Sequence, residues 1–382
     1  MKKIVVVGSG FGGLSIASKL KAKKFDVTLI EKHKDLGGRA RTFVHNDFKY
    51  DAGPTVITAP YLIDELFSAH GEKLSDYVNL LPVKPWYRFL FDSGDYIDYG
   101  DKLISTVHEI KAKYGNDKAK AYLKLLKHSK QIFKKGFIEL SDEPFESIYS
   151  MLKHLPALIK IRFDRSVYQT VNKYLNNKNL NEALSMHPLL VGGNPYSTTS
   201  IYLLIQYLEW KWGVYYAEGG TGRIIDGLEK LLIKKDVNIK KNTEAKKIIL
   251  KNNKVVGIDT SQGIIDCDIV VCNSDPTYTY NNLLGFKPKK ASNRFNLKHS
   301  MSLFVLYFST TKIYKDVKHH TIIFSKRHYE LLNDIFNKKV FVSDPSLYLH
   351  RPGATDPSMI QNGNDTFYVL APVPNNLSKI DW

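Results

Sequence analysis

Ile4-Val5-Val6-Val7-Gly8-Ser9-Gly10-Phe11-Gly12-Gly13 opens the chain and decides its fold. An unbroken run of β-branched residues is the pattern of a strand buried on both faces, as parallel strands are. Gly8, Gly10 and Gly13 then stand in Gly-x-Gly-x-x-Gly order. Beyond them Leu14, Ala17 and Leu20 recur at helical spacing, and Val27–Ile30 is a second apolar run. Strand, glycine turn, helix and strand make a βαβ unit. Glu31 follows the second strand, 18 positions past Gly13. In this context each glycine has a physical task. Gly8 permits the tight turn, Gly10 lets the backbone approach a pyrophosphate, and Gly13 lets helix and strand pack closely. The helix N-terminus offers N–H groups and a positive dipole end to phosphates, and Glu31 accepts hydrogen bonds from ribose hydroxyls. A carboxylate there repels the 2′-phosphate of NADP, which leaves NAD or FAD. Leu36-Gly37-Gly38-Arg39-Ala40-Arg41 adds two cations beside the same site, within reach of a diphosphate or flavin ring. Taken alone, that stretch equally suits a solvated loop.

The 382 residues allow roughly two to three domains. A content of 43% hydrophobic and 24% charged residues excludes a disordered chain, a collagen-like repeat and a disulfide scaffold. The net charge of +17 supports attraction to anionic surfaces, either nucleic acid or lipid head groups. No helix-turn-helix, RNP or zinc pattern accompanies it, so no nucleic-acid partner is expected. Cys267 and Cys272 form no Cys-x-x-Cys and have no matching His pair, so no metal ligands are expected. Two thiols in so long a chain suit a reducing cytoplasm. No apolar run approaches the roughly 18 residues of a membrane span; Ile201–Leu208 and Leu303–Phe308 are too short. Lys2 and Lys3 before an apolar stretch imitate a signal peptide, but glycines at motif spacing interrupt it. The chain is expected to stay inside the cell.

Further along, Trp86–Phe91 and Tyr96–Tyr99 read as a hairpin around Asp92-Ser93-Gly94-Asp95. Residues 105–214 read mostly helical, with capping-box spacing at Thr106 and Glu109. Tyr122, Leu126 and Phe133 share one helix face, opposite Lys118, Lys120, Lys124 and Lys127. Short strands are expected at Val237–Ile239, Ile248–Leu250, Val255–Ile258 and Ile269–Val271, with turns at Asn252-Asn253 and Gln262-Gly263. The final segment adds strands at Ser302–Phe308, Thr321–Phe324 and Phe367–Leu370 and a helix near 328–337. Trp382 closes no recognisable element, and the chain is expected to be a piece of a longer polypeptide.

Glycine loop, Glu31 and Gly37-Gly38-Arg39-Ala40 together resemble the flavin-binding N-terminus of amine-oxidase-like flavoproteins. Asp51-Ala52-Gly53-Pro54-Thr55-Val56-Ile57-Thr58 narrows the resemblance to the bacterial-type phytoene desaturases. His187–Pro195, Trp212-Gly213-Val214, Glu218-Gly219-Gly220-Thr221-Gly222, Leu303–Phe308, Ser346–His350 and Tyr368–Pro374 agree, so the likeness runs from residue 1 to 382. It implies an α/β fold in which a Rossmann-type FAD-binding domain is interleaved with a mixed-sheet and helical substrate and membrane domain. Residues 1–75 plus 215–298 would bind FAD, 76–104 plus 299–382 would form the substrate-domain sheet, and 105–214 the helical, membrane-facing part. Cofactor contacts are implied at Gly8, Ser9, Gly10, Phe11, Gly12, Gly13, Glu31, Lys32, Gly38, Arg39, Arg41, Gly53, Pro54, Thr55 and Ala245.

The implied activity is FAD-dependent desaturation of phytoene towards lycopene, with hydride passed to flavin and then to a quinone or oxygen. Action on another carotenoid such as C30 diapophytoene, as desaturase, ketolase or isomerase, is an alternative. So is a non-catalytic prenyl-lipid escort on the same fold. A polyene has no carbonyl or amine to polarise, and the sequence holds no Ser/His/Asp set, His-Glu-x-x-His or paired acidic site. Lys153 and His154 are the candidates for removing the adjacent proton, though both also suit the polar face of an amphipathic helix. Around them Leu152, Leu155, Leu158, Ile159 and Phe163 face Lys153, His154, Lys160 and Arg162, with Pro156 expected to start or kink the helix. An apolar stripe flanked by cations suits a helix lying in a bilayer interface. Peripheral attachment to the inner face of the cell membrane through 145–175 is the expectation. The aromatic segment 196–216 is read either as lining for a polyene or as ordinary core.

Overall fold

The opening apolar run forms strand β1, Lys3–Val7, in the middle of a four-stranded parallel sheet. Its neighbours are Ile269–Cys272 and β2, Asp26–Ile30, with Asn238–Lys240 beyond β2. Val7 is in register with both Ile30 and Cys272, so three strands end level beside the glycine turn. Successive β1 side chains serve different cores. Val6 packs in a core with Leu14 and Ala17 of helix α1, Phe11–Ala22, and with Leu228 and Leu231. Val5 and Val7 belong to a second core with Ile30, Ile248 and Ile258. A strand covered on both faces has no polar side to show, hence its unbroken β-branched sequence. The glycine turn thus lies at the carboxyl ends of parallel strands, where open α/β sheets bind ligands.

The computed structural model describes residues 1–140, 148–285 and 299–382, apart from the side chains of 148–153. Two units separate in it: Met1–Leu81 with Tyr215–Lys298, and Pro82–Val214 with His299–Trp382. Besides the parallel sheet, the first unit holds a hairpin of Thr42–His45 and Phe48–Asp51. It also holds an antiparallel sheet of Ala245–Lys251, Lys254–Thr260 and Gly263–Asp266. Asn252 and Asn253 turn between the first two of these strands with φ of 53° and 58°, a conformation asparagine tolerates. Gly263–Asp266 is a strand beyond those expected. That strand is short: Ile265 packs against the second core but Ile264 is exposed, which leaves no alternating run to read.

The second unit is built on a six-stranded sheet in the order Ser302–Ser309, Thr366–Val373, Leu347–His350, His320–Ile323, Tyr87–Leu90, Tyr96–Tyr99. All its pairs are antiparallel except His320–Ile323 with Tyr87–Leu90. Helices Leu103–Tyr114, Asn116–Phe133, Ile148–Lys160, Val167–Leu175, Lys178–Ser185 and Leu204–Trp212 belong to the same unit. On Asn116–Phe133 Tyr122, Leu126 and Phe133 are buried and Lys120, Lys124 and Lys127 exposed, as expected, while Lys118 is half-buried.

Two local expectations are corrected. Thr106 is no N-cap, because its helix already begins at Leu103. Its hydroxyl accepts from Gly100 N at 3.1 Å, and Glu109 accepts from Asp98 N at 3.0 Å. Both side chains tie the helix to the strand before it rather than closing its own first turn. A capping box does form at Ser166 and Gln169, where each side chain meets the other's backbone N–H. The helix around Lys153 and His154 begins at Ile148, so Pro156 sits inside it and does not start it. Residues 145–147 of the expected interface segment lie outside the described residues. Among the described residues no helix is long and apolar enough to cross a membrane.

Candidate functional site

Gly10 caps α1 in an extended conformation without any side-chain cap, and the helix carries no acidic residue in its first turn. The first intrahelical bond is Leu14 N to Gly10 O at 3.0 Å. The N–H groups of Phe11, Gly12 and Gly13 precede it and have no intrahelical acceptor. Gly8 takes φ of 90°, the left-handed side that glycine alone adopts freely. A Cβ on Gly13 would collide with the carbonyl oxygen of Gly8, a backbone atom. The close helix–strand approach expected of the third glycine is therefore present.

Glu31 is buried at the end of β2 and its carboxylate closes onto the same turn. Oε2 accepts from Ser9 Oγ at 2.6 Å and Ser9 N at 3.0 Å, and Oε1 accepts from His33 N at 3.0 Å. Burial works against the charge, but these donors outweigh it and hold the carboxyl below its ordinary range. Glu31 thus fastens the loop, a task the spacing did not reveal. One oxygen, Oε1, carries a single one of these bonds, so it keeps a lone pair for a further donor.

The other expected motifs converge on this turn. Gly37 N donates to Ser9 O at 3.0 Å, and a Cβ on Gly38 would come within 3.3 Å of Gly10 Cα. Gly53 is glycine because a Cβ there would run into the carbonyl oxygen of Arg39. The side chains of Lys32, Arg39 and Arg41 are exposed, as is Pro54, whereas Thr55 is buried. Ala245 opens its strand just after Thr243, whose N–H donates to Glu31 O at 2.7 Å. Lys153 and His154 lie in the second unit on Ile148–Lys160, with the Lys153 side chain outside the described residues and His154 half-buried.

Three contributions escaped the sequence reading. Asn273 follows Ile269–Cys272, donates its N–H to Val7 O at 2.8 Å, and sets its amide 2.9 Å from where a Cβ on Gly10 would lie. Its signal was available: a polar residue at the carboxyl end of an apolar run. Asp51 is a buried hub. Its Oδ1 accepts from Thr221 N at 2.7 Å and Thr42 Oγ1 at 2.9 Å, and its Oδ2 from Tyr216 OH at 2.6 Å. Through it the Asp51–Thr58 and Glu218–Gly222 motifs meet, as they also do where Thr221 Oγ1 donates to Pro54 O at 2.9 Å. In the second unit buried Glu209 pairs with His187 at 3.0 Å and accepts from Tyr87 OH at 2.8 Å. No spacing announces that trio, which comes from separate elements.

Comparison with known proteins agrees with this geometry. The model of the flavin-containing amine oxidoreductase family matches residues 11–335. The chain belongs to this family. A lycopene-forming phytoene desaturase of Pseudescherichia vulneris is 41% identical over 387 aligned positions, covering 100% of this chain and 78% of that protein. The corresponding protein of Pantoea ananas is 40% identical with the same coverage. Within the family the chain therefore falls among the bacterial-type phytoene desaturases. An oxidoreductase from Methanosarcina mazei has the same fold, with a TM-score of 0.64 at 16% identity over 97% of this chain and 79% of that one.

A flavin family on a dinucleotide-binding sheet implies FAD. The residues present fit it: an uncapped helix N-terminus for the diphosphate, glycines leaving no side chain in the way, and an acidic residue at the end of β2.

Proposed function

We propose that this chain is an FAD-dependent oxidoreductase of carotenoid biosynthesis that desaturates phytoene towards lycopene. The carrying observation is its likeness, at 41% identity over all of this chain and 78% of that protein, to a lycopene-forming phytoene desaturase. The intact glycine turn supports it. Bound FAD would supply the hydride acceptor that an unactivated carbon–carbon bond requires. The rest of the protein's work is to hold the cofactor, orient an apolar chain and exclude water.

In this reading the N–H groups of Phe11, Gly12 and Gly13 receive the diphosphate beside Gly8, Ser9 and Gly10. Glu31 receives a ribose hydroxyl through Oε1. Gly38, Arg39, Arg41, Gly53, Pro54, Thr55, Lys32 and Ala245 would supply the remaining cofactor contacts. The first unit holds the nucleotide and the second the polyene. Lys153 and His154 are the candidates for receiving the proton that the substrate loses. A quinone or oxygen reoxidises the enzyme.

Phytoene is dissolved in membrane, so the enzyme must meet it there. The protein docks on the inner face of the cell membrane through 145–175. Ile159 is exposed next to exposed Lys160 and Arg162, a pairing that suits an interface, although Arg162 is held by Asp164 at 2.8 Å.

The test is the pigment profile of bacteria that accumulate phytoene and express this reading frame. Conversion to lycopene or its partly desaturated precursors is expected. Unchanged phytoene, in cells whose purified protein is yellow with flavin, would remove the assignment. A parallel host making C30 diapophytoene ranks the two substrates.

A further inference from the structure

The sheet of the second unit gathers three histidines that the sequence keeps apart. His320 and His350 are register partners on the adjacent strands His320–Ile323 and Leu347–His350. His319 joins them from the start of the same edge, where its carbonyl accepts from Arg351 N at 2.9 Å. All three are buried, none more than 2% exposed. One ring nitrogen of each lies within 4.8 Å of those of the other two.

The surroundings suit ligation. His319 Nδ1 meets Thr355 Oγ1 at 2.7 Å, and His320 Nδ1 meets Tyr348 OH at 2.6 Å. Each hydroxyl can accept the Nδ1 proton, the tautomer that leaves the Nε2 lone pair for a metal. Metal-bound histidines are commonly oriented this way by their outer nitrogen. Nε2 of His320 is buried and has no hydrogen-bond partner among the described residues. A buried polar nitrogen in that state is costly. Next in the chain, Arg351 is neutralised by Asp365 at 2.8 Å, so a metal would not face an unpaired guanidinium.

We propose that His319, His320 and His350 form a binding site for a divalent transition-metal ion of the Zn2+ class. An all-imidazole set suits Zn2+, Co2+, Ni2+ or Cu2+, whereas Mg2+ and Ca2+ require oxygen ligands. Three protein ligands leave a fourth position for solvent. The ion bridges two neighbouring strands and the segment before them, far from the glycine turn in sequence. The cysteine and histidine spacings gave no hint of it, because the strands pair only in the fold.

The test strips the purified flavoprotein with a chelator and titrates it with Co2+, followed by visible d–d absorption and metal analysis, then by displacement with Zn2+. One tightly bound ion per chain is expected, with affinity lowered at least about tenfold in His350→Phe and by about tenfold or more in Thr355→Val, which keeps all three ligands. His45→Ala, at an exposed histidine of the other unit, should bind as the parent does. Absence of stoichiometric binding would overturn the site. So would unchanged affinity in a folded His350→Phe protein. Should that variant not fold, unchanged affinity in Thr355→Val would overturn it.

Discussion

Gly13 and Gly53 sit where a methyl group meets a backbone carbonyl, of Gly8 and of Arg39 respectively, and a backbone atom cannot swing aside. At Gly10 and Gly12 the obstacle is the Asn273 side chain, which can. Gly13→Ala and Gly53→Ala should therefore purify with little or no flavin, read as visible absorbance per protein. Gly136→Ala, whose new methyl would lie 3.4 Å from Leu204 Cδ2, should retain it. Equal flavin content in all three would contradict this ranking. Glu31 offers a second residue-scale test. Its carboxyl is held below its unfolded value, so its contribution to stability is complete above the ordinary carboxylate range. It is lost as pH falls through the depressed value. The melting-temperature gap between the parent and Glu31→Gln should shrink on acidification; a gap independent of pH would sink the assignment. The glycines and Glu31 were legible because their meaning depends on local spacing. The joining role of Asp51 was not, since its partners Tyr216 and Thr221 are remote in sequence, and Asn273 was marked only by its place at the end of an apolar run.

At the scale of elements, buried polar side chains decide how segments join. Glu209 on Leu204–Trp212 holds His187 and Tyr87, and all three are buried. Glu209→Ala leaves both partners without their acceptor and should cost about 3–5 kcal/mol in urea unfolding, as removal of one member of a buried pair does. Glu209→Gln, which keeps an acceptor, should cost less; equal costs would mean that packing alone matters. The strands β1 and β2 were legible because their apolar runs are bounded by glycine and charge. Thr106 misled because capping-box spacing also arises inside a helix that turns its side chains towards a neighbouring strand. The strand Leu347–His350 was visible only as a motif, since Leu347, Tyr348 and Leu349 are all half-buried, without alternation. Its partner His320–Ile323 also pairs in parallel with Tyr87–Leu90, a contact no local pattern announces.

At the scale of the molecule, the net charge of +17 and the exposed Ile159 beside cations frame the membrane proposal. Recovery with liposomes should rise with anionic lipid and fall with salt, because exposed charges are screened within about 10 Å at 0.1 M ionic strength. Recovery independent of lipid charge would count against docking through 145–175. The proposed activity depends on a cofactor held at the glycine turn acting on a membrane-borne polyene. Its most direct test is to mix the purified flavoprotein anaerobically with phytoene in liposomes and follow the flavin absorbance. Bleaching with matching formation of a desaturated carotenoid, absent in Gly13→Ala, is the predicted result. A protein that retains flavin yet shows neither bleaching nor product would contradict it.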